Sequence, residues 1–289
     1  MNKAELLINK QNQLRLISSS FPSISTDLEI DAKYEIEDVG FLAPIYKDES
    51  VWGKNCWFTF GNFATASPEA SKRLFTEVSE FEVSKGINNF YVEVPANNQL
   101  EIQAWFELGF GAQHMSAILG EIAETSTSAK IRNATINDIS GIIKVERELA
   151  IHQKSAPVFS NVQPDDEAES AKDWLELFES EENNGFVVKV AEVENHVVAL
   201  SYGVSTEKSQ LHSGLLRPEN SATLAHATTL PRFRGTGIGK ALAASVINDL
   251  RAKGFSEIVT DWRVTNQLSS VTWPKLGFIP TVLRLHRAL

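Results

Sequence analysis

The chain has 289 residues, enough for one large domain or two ordinary ones, and its 43% hydrophobic and 22% charged content is ordinary for a globular protein. A net charge of −10 argues against a general nucleic-acid binder, which needs a basic face, and no apolar run is long enough to span a bilayer. The first ten residues lack the apolar core of a signal peptide and Cys56 is the only cysteine, so a cytoplasmic protein without disulfides is expected.

In chain order, Ala4–Leu16 reads as a helix. Glu124-Thr-Ser-Thr-Ser-Ala129 is small and polar, as a linker would be. From Lys130 the pattern starts afresh: a strand over 130–135, Asp138 in a helix N-cap region, then apolar Ile139, Ile142, Ile143, Val145 and Leu149. Residues His152 to Asp166 are polar and irregular, and Ala168–Glu181 reads as a helix with Trp174, Leu175 and Phe178 on one face. Phe186–Val193 and His196–Val204 form an expected hairpin across Glu194-Asn195. Residues 222–230, apolar and Thr-rich, suit a strand. Gly235, Gly237 and Gly239 then open a helix whose Leu242, Val246 and Leu250 recur every four residues, with Gly254 as its stop.

A strand that runs through glycines into a helix presents unpaired backbone N–H groups at a positive dipole end, which suits a phosphate. A Walker loop would need glycine at Arg234 and a hydroxyl at Ala241, and that reading fails. A dinucleotide fingerprint could take Asp261 as its acid, but Lys240 stands where its third glycine belongs. The pattern R-x-x-G-x-G fits Arg232, Gly235 and Gly237, with Ile238-Gly239 continuing it. Further on, Asn266, Trp273, Lys275, Gly277 and Phe278 follow N-x6-(aromatic)-x-K-x-G-F. With these two motifs in order, residues 130–289 resemble the GCN5-related N-acetyltransferase (GNAT) family, in which the first motif holds the pyrophosphate of acetyl-CoA.

The resemblance implies an α/β, mixed-sheet acyl-CoA N-acyltransferase fold and a set of site residues. Thr229, Leu230, Arg232, Arg234, Gly235, Thr236, Gly237, Ile238, Gly239 and Lys240 would hold acetyl-CoA, joined by Asn266 and Trp273; no metal is implied. A backbone N–H near Leu230 would polarise the thioester, and the loop within 150–166 would line the acceptor pocket. His226, on the strand feeding the cradle, is the first candidate for the general base, and Asp261 the second; either is also an ordinary structural residue. The family commonly uses a tyrosine as acid where Trp273 stands, and an indole N–H does not titrate usefully. Charge agrees with a polyanionic ligand: residues 230–289 carry nine Lys/Arg against three Asp/Glu, a balance of +6 within an acidic chain.

Shifting the numbering by 168 aligns the two halves without a gap. Asn98-Gln99-Leu100, Trp105 and Leu108-Gly109-Phe110 fall on Asn266-Gln267-Leu268, Trp273 and Leu276-Gly277-Phe278, seven identities in thirteen positions. The cradle is not repeated, because Arg232, Gly235, Gly237 and Gly239 meet Ala64, Ser67, Glu69 and Ser71. Two tandem copies are therefore expected: a degenerate one over 1–125 without a cradle, and an acetyl-CoA-binding one over 128–289. The expected function is transfer of an acetyl group from acetyl-CoA to a primary amine of a small molecule or peptide by direct attack, with no nucleic-acid or membrane partner. A CoA-binding sensor or scaffold with little turnover is the alternative.

Overall fold

The computed structural model describes residues 2–24, 31–49, 53–160, 163–180, 185–209 and 214–289. The chain folds as two compact units, one of residues 1–117, 212–219 and 279–289, the other of residues 118–211 and 220–278.

Unit 1 opens with α1 (Lys3–Arg15), started by a capping box in which Asn2 and Glu5 exchange hydrogen bonds. Strands β1 (Tyr34–Ile36), β2 (Gly40–Leu42) and β5 (Phe63–Thr65) make a small antiparallel sheet. A larger sheet takes β3 (Ile45–Glu49), β4 (Gly53–Phe58), β6 (Asn89–Pro95), β13 (Phe278–Ala288) and β7 (Gly111–Leu119) in that spatial order. Helices α2 (Pro68–Ser84) and α3 (Gln99–Glu107) bury Phe75 and Trp105 against Phe58, Phe63, Phe90 and Phe110 in edge-on ring contacts. The last strand is thus part of unit 1: residues 282–288 pair antiparallel with residues 89–95 of β6.

Unit 2 contains β8 (Lys130–Asn133), α4 (Ile139–Lys154), α5 (Glu167–Glu179), β9 (Phe186–Val193), β10 (His196–Ser205), β11 (Ser221–Thr229), α6 (Ile238–Ala252), β12 (Glu257–Arg263) and α7 (Gln267–Leu276). Its strands run β12-β11-β10-β9-β8, antiparallel except for the β11–β12 pair, which is parallel. The turn between β9 and β10 places Glu194 and Asn195 at positive φ, the geometry a tight hairpin requires. Arg132 of β8 forks onto Asp138 at 2.7 and 2.8 Å and so fastens the first strand to the start of α4. Ile142, Val145, Trp174, Val190, Val198, Leu200, Leu230, Ile238 and Leu242 form the core between helices and sheet.

Several sequence expectations shift at their edges. Helix α4 continues to Lys154, so His152 is helical, not part of an irregular segment. Helix α5 stops at Glu179, and Glu181, the end expected for it, lies outside the described residues, as do 161–162 of the expected acceptor loop. Displaced by 168 residues, β6 falls on β12 residue for residue, and α2, α3 and β7 fall on α6, α7 and β13 to within two residues at either end.

Candidate active site

Strands β11 and β12 pair only over Ser221–Thr223, and beyond Thr223 they separate. On its other side β11 stays paired with β10 up to Thr229. Leu230 donates its N–H to the Val198 carbonyl at 2.9 Å, so 230 and 198 face each other as a hydrogen-bonded pair. Such pairs alternate along an antiparallel ladder, which turns the backbone groups of Ala227 and Thr229 away from β10 and into the gap. The Leu230 N–H itself is used within the sheet, and the backbone groups near it that face the gap are those of Ala227 and Thr229, the Thr229 carbonyl accepting there from Arg234.

The glycines lie where the gap meets α6. Gly235 and Gly237 have φ of +77° and +86°, and Gly237 is the residue from which α6 starts. No side chain caps that helix end, so its first N–H groups remain available, and a Cβ on Gly235 would point into open space. Arg234 is held by its Nε–H to the Thr229 carbonyl at 3.0 Å, and Lys240 follows in the first turn. Together these residues open onto a cleft of about 230 Å³, lined also by Leu149 and His152 of α4 and by Asn266, Ser269, Thr272 and Trp273 around α7. Of the residues expected to hold a cofactor, Thr229, Arg234, Gly235, Gly237, Ile238, Gly239, Lys240, Asn266 and Trp273 line this cleft, whereas Leu230, Arg232 and Thr236 do not.

Neither expected base lines it. His226 is 8% exposed, its ring stacks on Tyr202 at 5.1 Å and 8°, and its Nε2 lies 2.9 Å from Thr228 Oγ1, which does reach the cleft. Burial pushes its pKa down to about 4, so the imidazole is neutral at pH 7. Asp261 sits half-buried on β12, also outside the lining. The histidine in the cleft is His152, whose Nε2 stands 3.4 Å from Asn266 Oδ1. Its helical register with Leu149 was the sequence signal available for it. Behind Tyr202, the Trp174 indole donates to Glu146 at 3.0 Å; burial, with Asp165 and Asp173 nearby, holds the Glu146 carboxyl above the usual range.

Residues 120–129 belong to the same site region. Gly120 donates to the Gly277 carbonyl at 2.9 Å, Ala123 donates to the Leu276 carbonyl at 3.0 Å, and the Ser126 carbonyl abuts Gly237.

A family model matches this part of the chain: residues 149–278 fit the Acetyltransferase (GNAT) family. The match spans β9 to α7, the cleft and its glycines included, and over these residues the chain is similar to that family. A GCN5-related N-acetyltransferase from Sphaerobacter thermophilus is similar in fold over 99% of this chain and 91% of its own, at 9% identity and a TM-score of 0.57. A GNAT-family acetyltransferase from Colwellia psychrerythraea is similar over 100% of this chain and 97% of its own, at 13% identity and a TM-score of 0.54. No curated protein matches the sequence. The chain therefore has the mixed α/β fold of the GNAT acyltransferases. No helix among the described residues is long and apolar enough to cross a membrane, and no group of His, Cys, Asp or Glu among them is arranged for a metal ion.

At the 168-residue displacement, Gly235, Gly239 and Trp273 of the cleft fall on Ser67, Ser71 and Trp105 of unit 1, whose side chains are all engaged. Ser67, matching Gly235, caps α2 by accepting from the Ala70 N–H at 3.1 Å, with Pro68 at the first helical position. Ser71, matching Gly239, donates to Glu101 at 2.5 Å, and Trp105, matching Trp273, donates to the same carboxylate at 2.8 Å. Trp105 is fully buried. The helix end that is open in unit 2 is closed in unit 1 by its own side chains.

Proposed function

We propose that this protein is an N-acetyltransferase that uses acetyl-CoA to acetylate a primary amine in the cleft of unit 2. The observation that carries this reading is the uncapped, glycine-bounded start of α6 opening beside the separated edge of β11. Acetyl-CoA would supply the activated acyl group and, at its other end, the phosphates. The N–H groups of Gly235 to Lys240 would hold the diphosphate, with Arg234 and Lys240 supplying positive charge. Ala227 would offer its backbone N–H and carbonyl, and Thr229 its N–H, to the amide-bearing arm, as an added strand would use them. A donor aimed from this edge also replaces Leu230 as the group that polarises the thioester carbonyl. Asn266 is positioned for the same arm, although its side chain also caps α7 by accepting from the Ser269 N–H at 3.2 Å.

The amine must lose a proton before or as it attacks, and we assign its removal to His152. It lies in the cleft, at the end of α4, and imidazole is the side chain most often used as a general base. His226, neutral and buried, is a weak base and would reach the cleft only through the Thr228 hydroxyl. Trp273 supplies packing and no acid; thiolate departure needs none, because an ordinary thiol ionises near pKa 8.5. Glu146, Asp165 and Asp173 gather negative charge on the α4–α5 side, which suits a cationic acceptor. We further propose that residues 1–125 are a degenerate copy that binds no acetyl-CoA, its cradle positions being taken by the Ser67 cap and the Ser71–Glu101–Trp105 network, and that residues 128–289 are the active copy, whose last strand is packed into unit 1.

The test is release of CoA thiol from acetyl-CoA against a panel of small and peptide amines. Turnover with at least one amine is expected, lowered more by His152→Gln than by His226→Gln. Binding of acetyl-CoA without thiol release for any amine would favour the sensor reading. A larger loss in His226→Gln, with a shifted pH–rate profile, would return the base to His226.

A further inference from the structure

Residues 121–129 form no helix or strand, yet they are fastened within unit 2 at both ends. The N–H groups of Gly120 and Ala123 donate to the Gly277 and Leu276 carbonyls at 2.9 and 3.0 Å, which satisfies backbone acceptors that α7 leaves open at its C-terminal end. At the other end the Ala129 N–H donates to the Thr127 hydroxyl at 3.2 Å, and Ala129 packs on the core of the unit just before β8 begins. Between these ends two carbonyls press on glycines. A Cβ on Gly277 would stand 2.0 Å from the Glu121 oxygen, and one on Gly237 would stand 3.0 Å from the Ser126 oxygen. The segment thus runs from the end of α7 to the start of α6, where the cradle lies.

The start of α6 needs support of this kind. No side chain caps it, and glycines at 235 and 237 give the turn many alternative shapes. Within the turn, Arg234 Nε donates to the Thr229 carbonyl at 3.0 Å and Thr236 Oγ1 donates to the Phe233 carbonyl at 2.7 Å. Both bonds close before residue 237. The atom that stands against Gly237 from outside the turn is the Ser126 carbonyl oxygen. A nest of N–H groups binds an anion well only when the groups are already aimed, so whatever fixes Gly237 contributes to affinity without touching the ligand. The composition of Thr125-Ser126-Thr127-Ser128 is that of a loose connection, which makes its docking on the cradle reversible.

We propose that residues 121–129 are a positioning strap for the phosphate site: fastened on α7, they brace Gly237 and hold the start of α6 in the form that receives the cofactor. The inference rests on reading the cleft as an acetyl-CoA site. It is tested on the full chain by calorimetric titration with acetyl-CoA and by proteolysis. Replacing Thr125, Ser126 and Thr127 together by glycine touches no residue of the cleft lining, removes the Thr127 hydroxyl and multiplies undocked conformations. That variant should bind acetyl-CoA about tenfold more weakly than wild type, the loss expected when the docked form falls to about a tenth of the molecules. Its melting temperature without ligand should be little changed. Because coupling is reciprocal, saturating acetyl-CoA should slow cleavage of wild type after the exposed Glu124 by a glutamate-specific protease severalfold. Gly277→Ala, which would drive the Glu121 carbonyl off α7 from outside the cleft lining, should weaken acetyl-CoA in the same direction; if it does not fold, the glycine variant decides. An unchanged dissociation constant in the glycine variant, or a cleavage rate that acetyl-CoA leaves unaltered, would overturn the strap and leave the cleft reading intact. Failure of wild type to bind acetyl-CoA would overturn the cleft reading and the strap with it.

Discussion

His226 offers a stability prediction that can be worked from the structure. The ring is 8% exposed, stacked on Tyr202 and bonded to Thr228, and burial lowers its pKa from 6.5 to about 4. Between those values the unfolded chain binds a proton that the folded chain does not, so stability rises with pH across the window. The contribution is complete above about pH 6.5 and is lost as pH falls towards 4. Each unit of pKa difference is worth about 1.36 kcal/mol, so the loss is about 2 kcal/mol at pH 5 and about 3 kcal/mol once pH is below 4. Replacing the group with one that does not titrate removes this term and leaves the carboxylates unchanged. Guanidinium unfolding at pH 7.5 and pH 5.0 should therefore show wild type losing about 2 kcal/mol more than His226→Gln. Equal losses in the two proteins would mean that His226 is not buried as a neutral ring.

Three further outcomes are expected. Arg132→Met should cost roughly 2–3 kcal/mol at pH 7, because the paired guanidinium holds Asp138 at about 2; this contribution is present above the ordinary carboxylate pKa and is lost as pH falls through 2, so the difference from wild type should narrow in acid unfolding experiments. Gly277→Ala should lower the melting temperature well beyond a Gly254→Ala control. Both glycines have positive φ, but a Cβ on Gly277 would stand 2.0 Å from the Glu121 carbonyl oxygen, and one on Gly254 meets nothing. A fragment of residues 128–289 should be poorly soluble by light scattering, since residues 282–288 would lose the β6 residues 89–95 with which they pair and expose a bare strand edge; a soluble, monomeric fragment would contradict this.

Local signals in the sequence carried much of this architecture. Gly235, Gly237 and the four-residue spacing of Leu242, Val246 and Leu250 specify a turn and an amphipathic helix within a short window, and α6 follows them. Glu194-Asn195 likewise marks its hairpin, because few residue types accept positive φ at both turn positions. Non-local facts were illegible. Which way the Leu230 N–H points is set by the pairing of β11 with β10, and the residue's own identity says nothing of it. Polar neighbours obscure the last turn of α4 and make His152 read as loop, although Leu149 and Ala150 continue the apolar face of the helix. His226 reads as a base on a strand, and only the stacking of Tyr202 shows the ring to be enclosed. Glu124-Thr-Ser-Thr-Ser-Ala129 reads as a plain linker, and nothing local shows that the segment lies against Gly237 and Gly277, which are distant from it along the chain.

The central claim is that the glycine-bounded start of α6 holds the phosphates of acetyl-CoA and that unit 1 has no equivalent. Calorimetric titration of the full chain with acetyl-CoA, in wild type and in Gly235→Asp, tests it most directly. A Cβ at Gly235 meets no neighbouring atom and aspartate is among the residues that best accept positive φ, so the variant places a carboxylate in the phosphate site without a clash. The account predicts one site per chain in wild type and none in the variant, with the variant still folded. Two sites of similar affinity, or an unchanged dissociation constant in folded Gly235→Asp, would contradict it.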